Sequence, residues 1–135
     1  MSLILDRASM PQSPDAPDRM EGMVPGVRAG GFLFLSAIRG RHPHTHAMPD
    51  DPYEQAVQAL LNLQAVLAAS GATLAHVVKV TLYLHDLTVR QPFHRAWMEF
   101  FPENPPARIA VCVANANAAP GGNAHFALDV VALAP

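Results

Sequence analysis

The order of periodic segments along the chain predicts an α+β fold in which one mixed sheet carries two helices on a single face. Apolar residues recur at helical spacing in two segments and alternate, as in strands, in four to six others. In chain order these segments are a hairpin, a helix, a strand, a second helix and two strands. Two helices are too few to cover both faces of such a sheet, so we expect them to pack on the same face.

The length and composition are those of one ordinary domain. A chain of 135 residues is long enough to bury a single core, so we predict one domain over residues 1–135. Three prolines alternate with polar residues between Ser9 and Pro17, which indicates an extended N-terminal arm over residues 1–20.

The charge and the cysteine content exclude several classes of protein. A net charge of -2, with only nine lysines and arginines, argues against a nucleic-acid partner. The single cysteine, Cys112, rules out an internal disulfide and favours a reducing, cytoplasmic location. The chain has neither a signal-peptide pattern nor an apolar run long enough to span a membrane, so no membrane partner is expected.

The first predicted element of the globular body is a hairpin. The segments Val27-Arg28 and Phe32 to Ser36 flank Gly30-Gly31, a common sequence for a two-residue hairpin turn. Residues 38–50 follow without apolar periodicity and are predicted to form a long loop.

The first helix has signals at both ends. Asp51 is a suitable N-cap, Pro52 suits the first helical position, and Glu54 would complete a capping box. Gly71 supplies the stop. The predicted core stripe consists of Tyr53, Val57, Leu60, Leu63 and Leu67.

Alternation from His76 to Asp86 predicts a strand with one apolar and one polar face. The apolar face consists of Val78, Val80, Leu82 and Leu84, and the other face of Lys79, Thr81, Tyr83 and His85. A second helix is expected from near Pro92 to Pro102, with Trp97 in the core. Two further strands are predicted over residues 108–114 and 124–133.

The sheet face without helices should be too apolar to remain in water. Its predicted side chains are Tyr83, Ala110, Cys112, Val131 and Leu133. We therefore expect the chain to form an oligomer.

Arg108 lies at the start of a strand whose next five residues are all suited to burial. A desolvated guanidinium without a partner is costly, so Arg108 should meet an anion. Two partners are open at this point: a protein carboxylate such as Asp129, or the carboxylate of a ligand.

Six segments of the chain form a set that is more specific than any one of them. They are Glu54-Gln55, Leu60-Leu61-Asn62-Leu63, Ala68-Ala69-Ser70-Gly71-Ala72, Val77-Val78-Lys79-Val80-Thr81 with Tyr83 and Asp86, Phe100-Phe101, and Pro105-Pro106-Ala107-Arg108. In this order, over about residues 22 to 134, the set resembles the Rid family of reactive intermediate deaminases, also called the YjgF or L-PSP endoribonuclease family.

The resemblance implies a chorismate-mutase-like fold and a homotrimer with a central barrel and a ligand cleft at each subunit interface. It also implies hydrolysis of small enamines and imines, such as 2-aminoacrylate, to a 2-oxo acid and ammonia. No cofactor is expected. Arg108 matches the family arginine that holds the substrate carboxylate, for which the planar fork of a guanidinium is well suited.

Other matched positions depart from the family pattern. Ala127 stands where members have a water-positioning glutamate, and Met23 where many have a tyrosine. The family Ser-Gly-Gln is Ser36-Ala37-Ile38 here, and an asparagine of the second helix is His94. By strand parity the side chains of His125 and Asp129 point to the same side as Ala127, so either could supply the missing polar group. We expect these positions to border the substrate.

Two further features have competing interpretations. Cys112 shares the strand face of Arg108 and could line the cleft, or it could simply be buried as a small apolar residue. The alternating histidines His42, His44 and His46 could hold a metal, but the proline among them favours a solvated loop, so no metal site is expected.

Three functions therefore stay open from the sequence. The first is an imine deaminase that uses Arg108. The second is a small-carboxylate-binding trimer without this activity or with a divergent one. The third, a ribonuclease, is disfavoured by the charge.

Overall fold

The computed structural model describes residues 7–9, 13–16, 22–114 and 123–135. Most of the predicted N-terminal arm lies outside the described residues. Within them the structure has six strands and two α-helices. These are β1 (Arg7–Ser9), β2 (Gly26–Ala29), β3 (Phe32–Ile38), α1 (Pro52–Ala68), β4 (Val77–Leu84), α2 (Arg90–Phe100), β5 (Ala107–Cys112) and β6 (Phe126–Leu133).

All six strands belong to one sheet, in the order β1-β2-β3-β6-β4-β5. The pair β4–β5 is parallel and the other neighbours are antiparallel, which confirms the predicted mixed sheet. The hairpin between β2 and β3 turns at Gly30 and Gly31, whose φ angles are 58° and 81°. Two successive positive φ angles are characteristic of a type I′ turn, which glycine adopts without steric cost.

The predicted first helix is confirmed, and its first turn shows why it begins where it does. The Asp51 carboxylate accepts a hydrogen bond of 3.0 Å from the Glu54 amide, and Pro52 occupies the first helical position. The helix ends at Ala68, and Gly71 then adopts a φ of 74°. The ends of α1 thus follow from local sequence.

Both helices pack on the same sheet face, as predicted. The core joins Leu60 and Leu63 of α1 and Phe93 and Trp97 of α2 to the inward side chains of the strands. Those side chains are Leu33, Leu35, Val80, Leu82, Leu84, Phe126, Leu128, Val130 and Ala132. The rings of Phe93 and Phe126 lie 5.0 Å apart, so α2 contacts the central strand directly.

Two buried amide side chains attach the loop over residues 39–50 to α1. Asn62 donates hydrogen bonds of 2.7 Å to the backbone oxygens of Arg39 and Arg41. Gln55 donates to the Pro49 oxygen at 2.8 Å. Gly40 packs so closely that a β-carbon there would clash with the Gln55 backbone oxygen. The loop is thereby held in one position although it has no regular structure.

The other sheet face, called the open face below, is covered by neither helix. It carries the side chains of Phe32, Phe34, Tyr83, Ile109, Val111, Val131 and Leu133, together with Ser36, Lys79, Thr81, Ala127 and Asp129. Several of the large apolar groups are exposed, among them Phe34 at 47%.

Three face assignments made from sequence parity are wrong. A register shift between Val77 and Lys79 makes Val77 the buried residue and leaves Val78 exposed, because a β-bulge interrupts the alternation. Ala110 and Cys112 lie opposite Leu82 and Leu84, on the helix side of the edge strand rather than on the open face.

No helix in the described part of the chain is both long and apolar enough to cross a membrane.

Candidate functional site

Arg108 is the second residue of the edge strand β5, opposite Val80, and its side chain therefore lies on the helix side of the sheet. Its Nη2 donates a hydrogen bond of 3.1 Å to Nδ1 of His94, in the middle of α2. The guanidinium carbon lies 4.7 Å from the ring centroid of Trp97. An aromatic face and an imidazole thus fix the guanidinium in one orientation.

The charge of Arg108 is not neutralised by an acid of the described chain. Burial lowers the pKa of its guanidinium, and the positive charge of Arg90 lowers this pKa further. Its Nη1 is buried and has no hydrogen-bond partner among the described residues. Among the described residues only one ion pair is found, between His44 and Asp15 at 3.8 Å. A desolvated cation with an unused donor is suited to an anionic ligand.

The carboxylate that the sequence left open as a structural partner of Arg108 lies elsewhere. Asp129 is paired with Thr81, and its side chain lies on the open face. There it accepts a hydrogen bond from the hydroxyl of Ser36. An ion pair between Asp129 and Arg108 within one chain is therefore excluded by the geometry.

Ser36 and Asp129 border a cleft of about 350 Å³ on the open face. The cleft is lined by Phe34, Leu35, Ser36, Lys79, Thr81, Asp129, Val130 and Val131. Ala127, two residues before Asp129, lies opposite Tyr83 and is only 6% exposed. Its methyl group has no polar atom with which to hold a water.

His125 lies two residues before Ala127 and is held firmly. Its backbone amide donates a 2.6 Å hydrogen bond to Gln55, and its Nε2 lies 2.8 Å from the backbone oxygen of Asp50. Because a carbonyl can only accept, Nε2 carries the proton, and Nδ1 of the neutral ring has a free lone pair. This Nδ1 is buried and has no partner within the described part of the chain.

Sequence analysis missed the partner of this imidazole. The ring of His85 stacks on that of His125 with 5.1 Å between centroids, and the His85 amide donates to the His125 backbone oxygen. The sequence pattern places His85 only on the polar face of its strand. Two histidines at the ends of neighbouring strands were a signal, but only the register of β4 against β6 joins them.

The remaining predicted residues stand apart from one another. Met23 is exposed before β2, and Cys112 is exposed four residues after Arg108. In the histidine loop, Nδ1 of His42 accepts from the backbone amides of His44 and Thr45, so this nitrogen serves the loop itself. Over residues 22–114 and 123–135, no three histidines, cysteines or acids are grouped as a metal site would require.

The predicted site residues thus form two groups on opposite faces of the sheet. The edge group contains Arg108 and His94, with Cys112 further along the same face of β5. The open-face group contains Ser36, Ala127 and Asp129. Neither group can reach the other within one chain, because the sheet itself lies between them.

Comparison with known proteins places the chain in a family. The family model described as Endoribonuclease L-PSP matches residues 13–133. A RutC family protein from Pyrococcus horikoshii is 35% identical over 98 residues, which cover 72% of this chain and 78% of that protein. A protein of Dermatophagoides farinae named 2-iminobutanoate/2-iminopropanoate deaminase is 33% identical over 103 residues, covering 76% of this chain and 80% of its own.

Solved structures share the architecture. The crystal structure of Escherichia coli TdcF with bound serine superposes with a TM-score of 0.84. The match covers 93% of this chain and 98% of that one at 24% sequence identity, so it concerns the fold.

Proposed function

The chain belongs to the Endoribonuclease L-PSP, or Rid, family, and we propose that it hydrolyses a small carboxylate-bearing enamine or imine to a 2-oxo acid and ammonia. Proteins named as reactive intermediate deaminases or as 2-iminobutanoate/2-iminopropanoate deaminases are among its relatives. The observation that carries the proposal is the half-buried Arg108 guanidinium, which has an unused Nη1 and no acid to neutralise it in the described chain.

Arg108 holds the substrate carboxylate. Its orientation against Trp97 and His94 leaves Nη1 without a partner in the described chain, and a carboxylate is the anion that matches a guanidinium. Water then adds to the electrophilic carbon of the C=N bond. The resulting tetrahedral intermediate loses ammonia, which takes the electron pair of the C–N bond, while the oxygen of the water becomes the keto oxygen.

Orientation supplies much of the rate enhancement in this reaction, because imines hydrolyse readily once the reacting atoms are held together. A rate enhancement that comes mainly from orientation is compatible with an alanine at position 127. Two polar groups close to Ala127 in sequence, Asp129 on the open face and the Nδ1 lone pair of His125, are candidates for holding the water or moving its proton. Ser36, Met23 and Cys112 are proposed to border the substrate.

We propose that the working unit is a homotrimer. The apolar open face requires cover, and the edge and open-face groups lie on opposite faces of one sheet. Packing the open face of one copy beside the edge strand of the next would bring the two groups into a shared cleft. Each site would then take residues from two copies.

A second candidate function, carboxylate binding without hydrolysis, is favoured only by the alanine at position 127. If the glutamate of the family is necessary, the same cleft would bind a small carboxylate without hydrolysing its imine. Ribonuclease action is not supported, because a net charge of -2 with only nine lysines and arginines disfavours binding to a phosphate backbone. A cytoplasmic location and the absence of a cofactor stay predictions.

The test measures release of ammonia and decay of 2-iminobutanoate, generated in place by an amino-acid oxidase. The purified protein should speed the decay, and Arg108→Ala should remove the effect. Arg95→Ala is the matched control, since it deletes a guanidinium that stacks on Tyr53 instead. Equal decay with and without the protein, while a thermal shift with 2-oxobutyrate persists, would favour the binding function.

A further inference from the structure

Arg90, His94 and Arg108 form a cationic cluster at the edge of the sheet. Arg90 and His94 are four residues apart on α2, so their side chains project from the same face of the helix, with about 5–6 Å between β-carbons. His94 in turn accepts the hydrogen bond from Arg108. Arg90 also lies close enough to Arg108 to lower its pKa through charge repulsion. Arg108 thus contacts the imidazole of His94, and Arg90 lies one turn before it on the same helix face.

Two acids on or next to α2 have other partners. Asp86, just before α2, accepts from the Thr88 amide at 2.8 Å. Glu99, on α2, accepts from the Tyr53 hydroxyl at 2.8 Å, and Arg95 stacks on the ring of that tyrosine. In the described residues neither Arg90 nor Arg108 has a carboxylate within ion-pair distance. A single monoanion bound to Arg108 would leave the charge of Arg90 without a counterpart.

His94 adds a donor to the cluster. Its Nδ1 accepts from Arg108, so in the neutral ring the proton is on Nε2. This N–H and the exposed guanidinium of Arg90, one helical turn earlier, are two further donors on the face of α2 that Arg108 contacts. A ligand held at Arg108 is therefore offered further donors by α2.

We infer that the ligand of Arg108 carries a second anionic group, received by Arg90 with the help of His94. The preferred substrates are then imines of dicarboxylic amino acids rather than of short aliphatic ones. The inference rests on the proposed carboxylate role of Arg108 and specifies its substrate class. Arg90 lies one helical turn from the imidazole that Arg108 contacts. This spacing suits a ligand whose two carboxylates are separated by a few carbon–carbon bonds.

The test compares two stable ligands of nearly equal size and shape that differ by one charge. They are 2-oxoglutarate, a dianion, and its 5-methyl ester, in which the distal carboxylate is neutral. Dissociation constants are measured by calorimetry for the native protein, Arg90→Gln and Arg95→Gln. Arg95→Gln makes the same change in net charge on the same helix, away from the cluster. Because Arg90 is exposed, its substitution should not disturb folding, which a thermal unfolding curve verifies.

We expect the native protein to bind the dianion about fivefold more tightly, as for one exposed ion pair. Arg90→Gln should bring the ratio of the two dissociation constants close to one, whereas Arg95→Gln should keep it. Raised ionic strength should shrink the native ratio. Equal affinities in the native protein, or a preference that survives Arg90→Gln, would overturn the inference and leave the deaminase proposal standing. If neither ligand binds, the carboxylate site fails and the inference fails with it.

Discussion

At the scale of single residues, buried amide side chains hold a loop through hydrogen bonds, which apolar core residues cannot form. Asn62 is surrounded by apolar neighbours of α1, yet both of its polar groups are satisfied. Its Nδ2 donates to two loop carbonyls, and its Oδ1 accepts from Gln58 at 2.9 Å. Helical periodicity could place Asn62 beside the core, but its partners lie 21 and 23 residues away, so no local pattern identifies them.

Replacing Asn62 with leucine should destabilise the protein by about 3 kcal/mol. The change leaves the Arg39 and Arg41 carbonyls buried without a donor, and unpaired buried groups cost more than their hydrogen bonds contribute. Urea unfolding measures the loss. Gln64→Leu, at an exposed position of the same helix, should change the free energy of unfolding by less than about 0.5 kcal/mol. Equal effects at the two positions would contradict this role of Asn62.

At the scale of the element, the two helices differ in how far the sequence predicts their ends. The N-cap Asp51, Pro52 and Gly71 all lie in or within a few residues of α1, and the bounds of the helix follow from these local signals. The second helix begins at Arg90, two residues before the predicted Pro92, because a 3₁₀ turn over Leu87–Val89 leads into it. Pro92 then lies in the first helical turn, where its missing N–H is tolerated.

The turn before α2 should lose stability in acid. Asp86 accepts from the Thr88 amide, and this hydrogen bond lowers the pKa of its carboxyl. A depressed pKa in the folded state means that the contribution is complete above the unfolded pKa and disappears as the pH falls through the folded one. The advantage of the native protein over Asp86→Ala should therefore shrink below about pH 4.

Chemical unfolding of both proteins at a series of pH values measures this difference. Asp86→Asn is the control, since its amide oxygen can accept from Thr88 at any pH. A difference between native protein and Asp86→Ala that stays constant down to pH 2 would show that the carboxylate does not stabilise the turn.

At the scale of the whole molecule, the strand pairings determine which residues meet. Alternation identified β4 and β6 as strands, but the bulge at Val78 and the helix-side position of Cys112 depend on the neighbouring strand. For the same reason the motif around Arg108 gave no sign that Asp129 lies across the sheet from it. A sequence pattern describes one strand at a time, whereas a sheet face is formed by side chains from several strands.

The open face should be the surface through which copies associate. Phe34→Asp places a charge among its exposed apolar side chains and should convert the oligomer to a monomer, because burial of that charge would be costly. Light scattering after size exclusion measures the mass. Leu61→Asp alters an equally exposed leucine on α1 (45%) and should leave the mass unchanged. An unchanged mass for Phe34→Asp, with native circular dichroism, would assign association to another surface.

The central position of β6 has a consequence for how the protein comes to be folded. This strand lies between β3 and β4 in the sheet, yet it follows every other described element along the chain. During synthesis the edges of β3 and β4 that pair with β6 therefore stay unpaired until β6 has left the ribosome. Pairings between segments far apart in sequence also form slowly. The sheet is thus completed only when β6 has emerged, and until then the growing chain is exposed to aggregation.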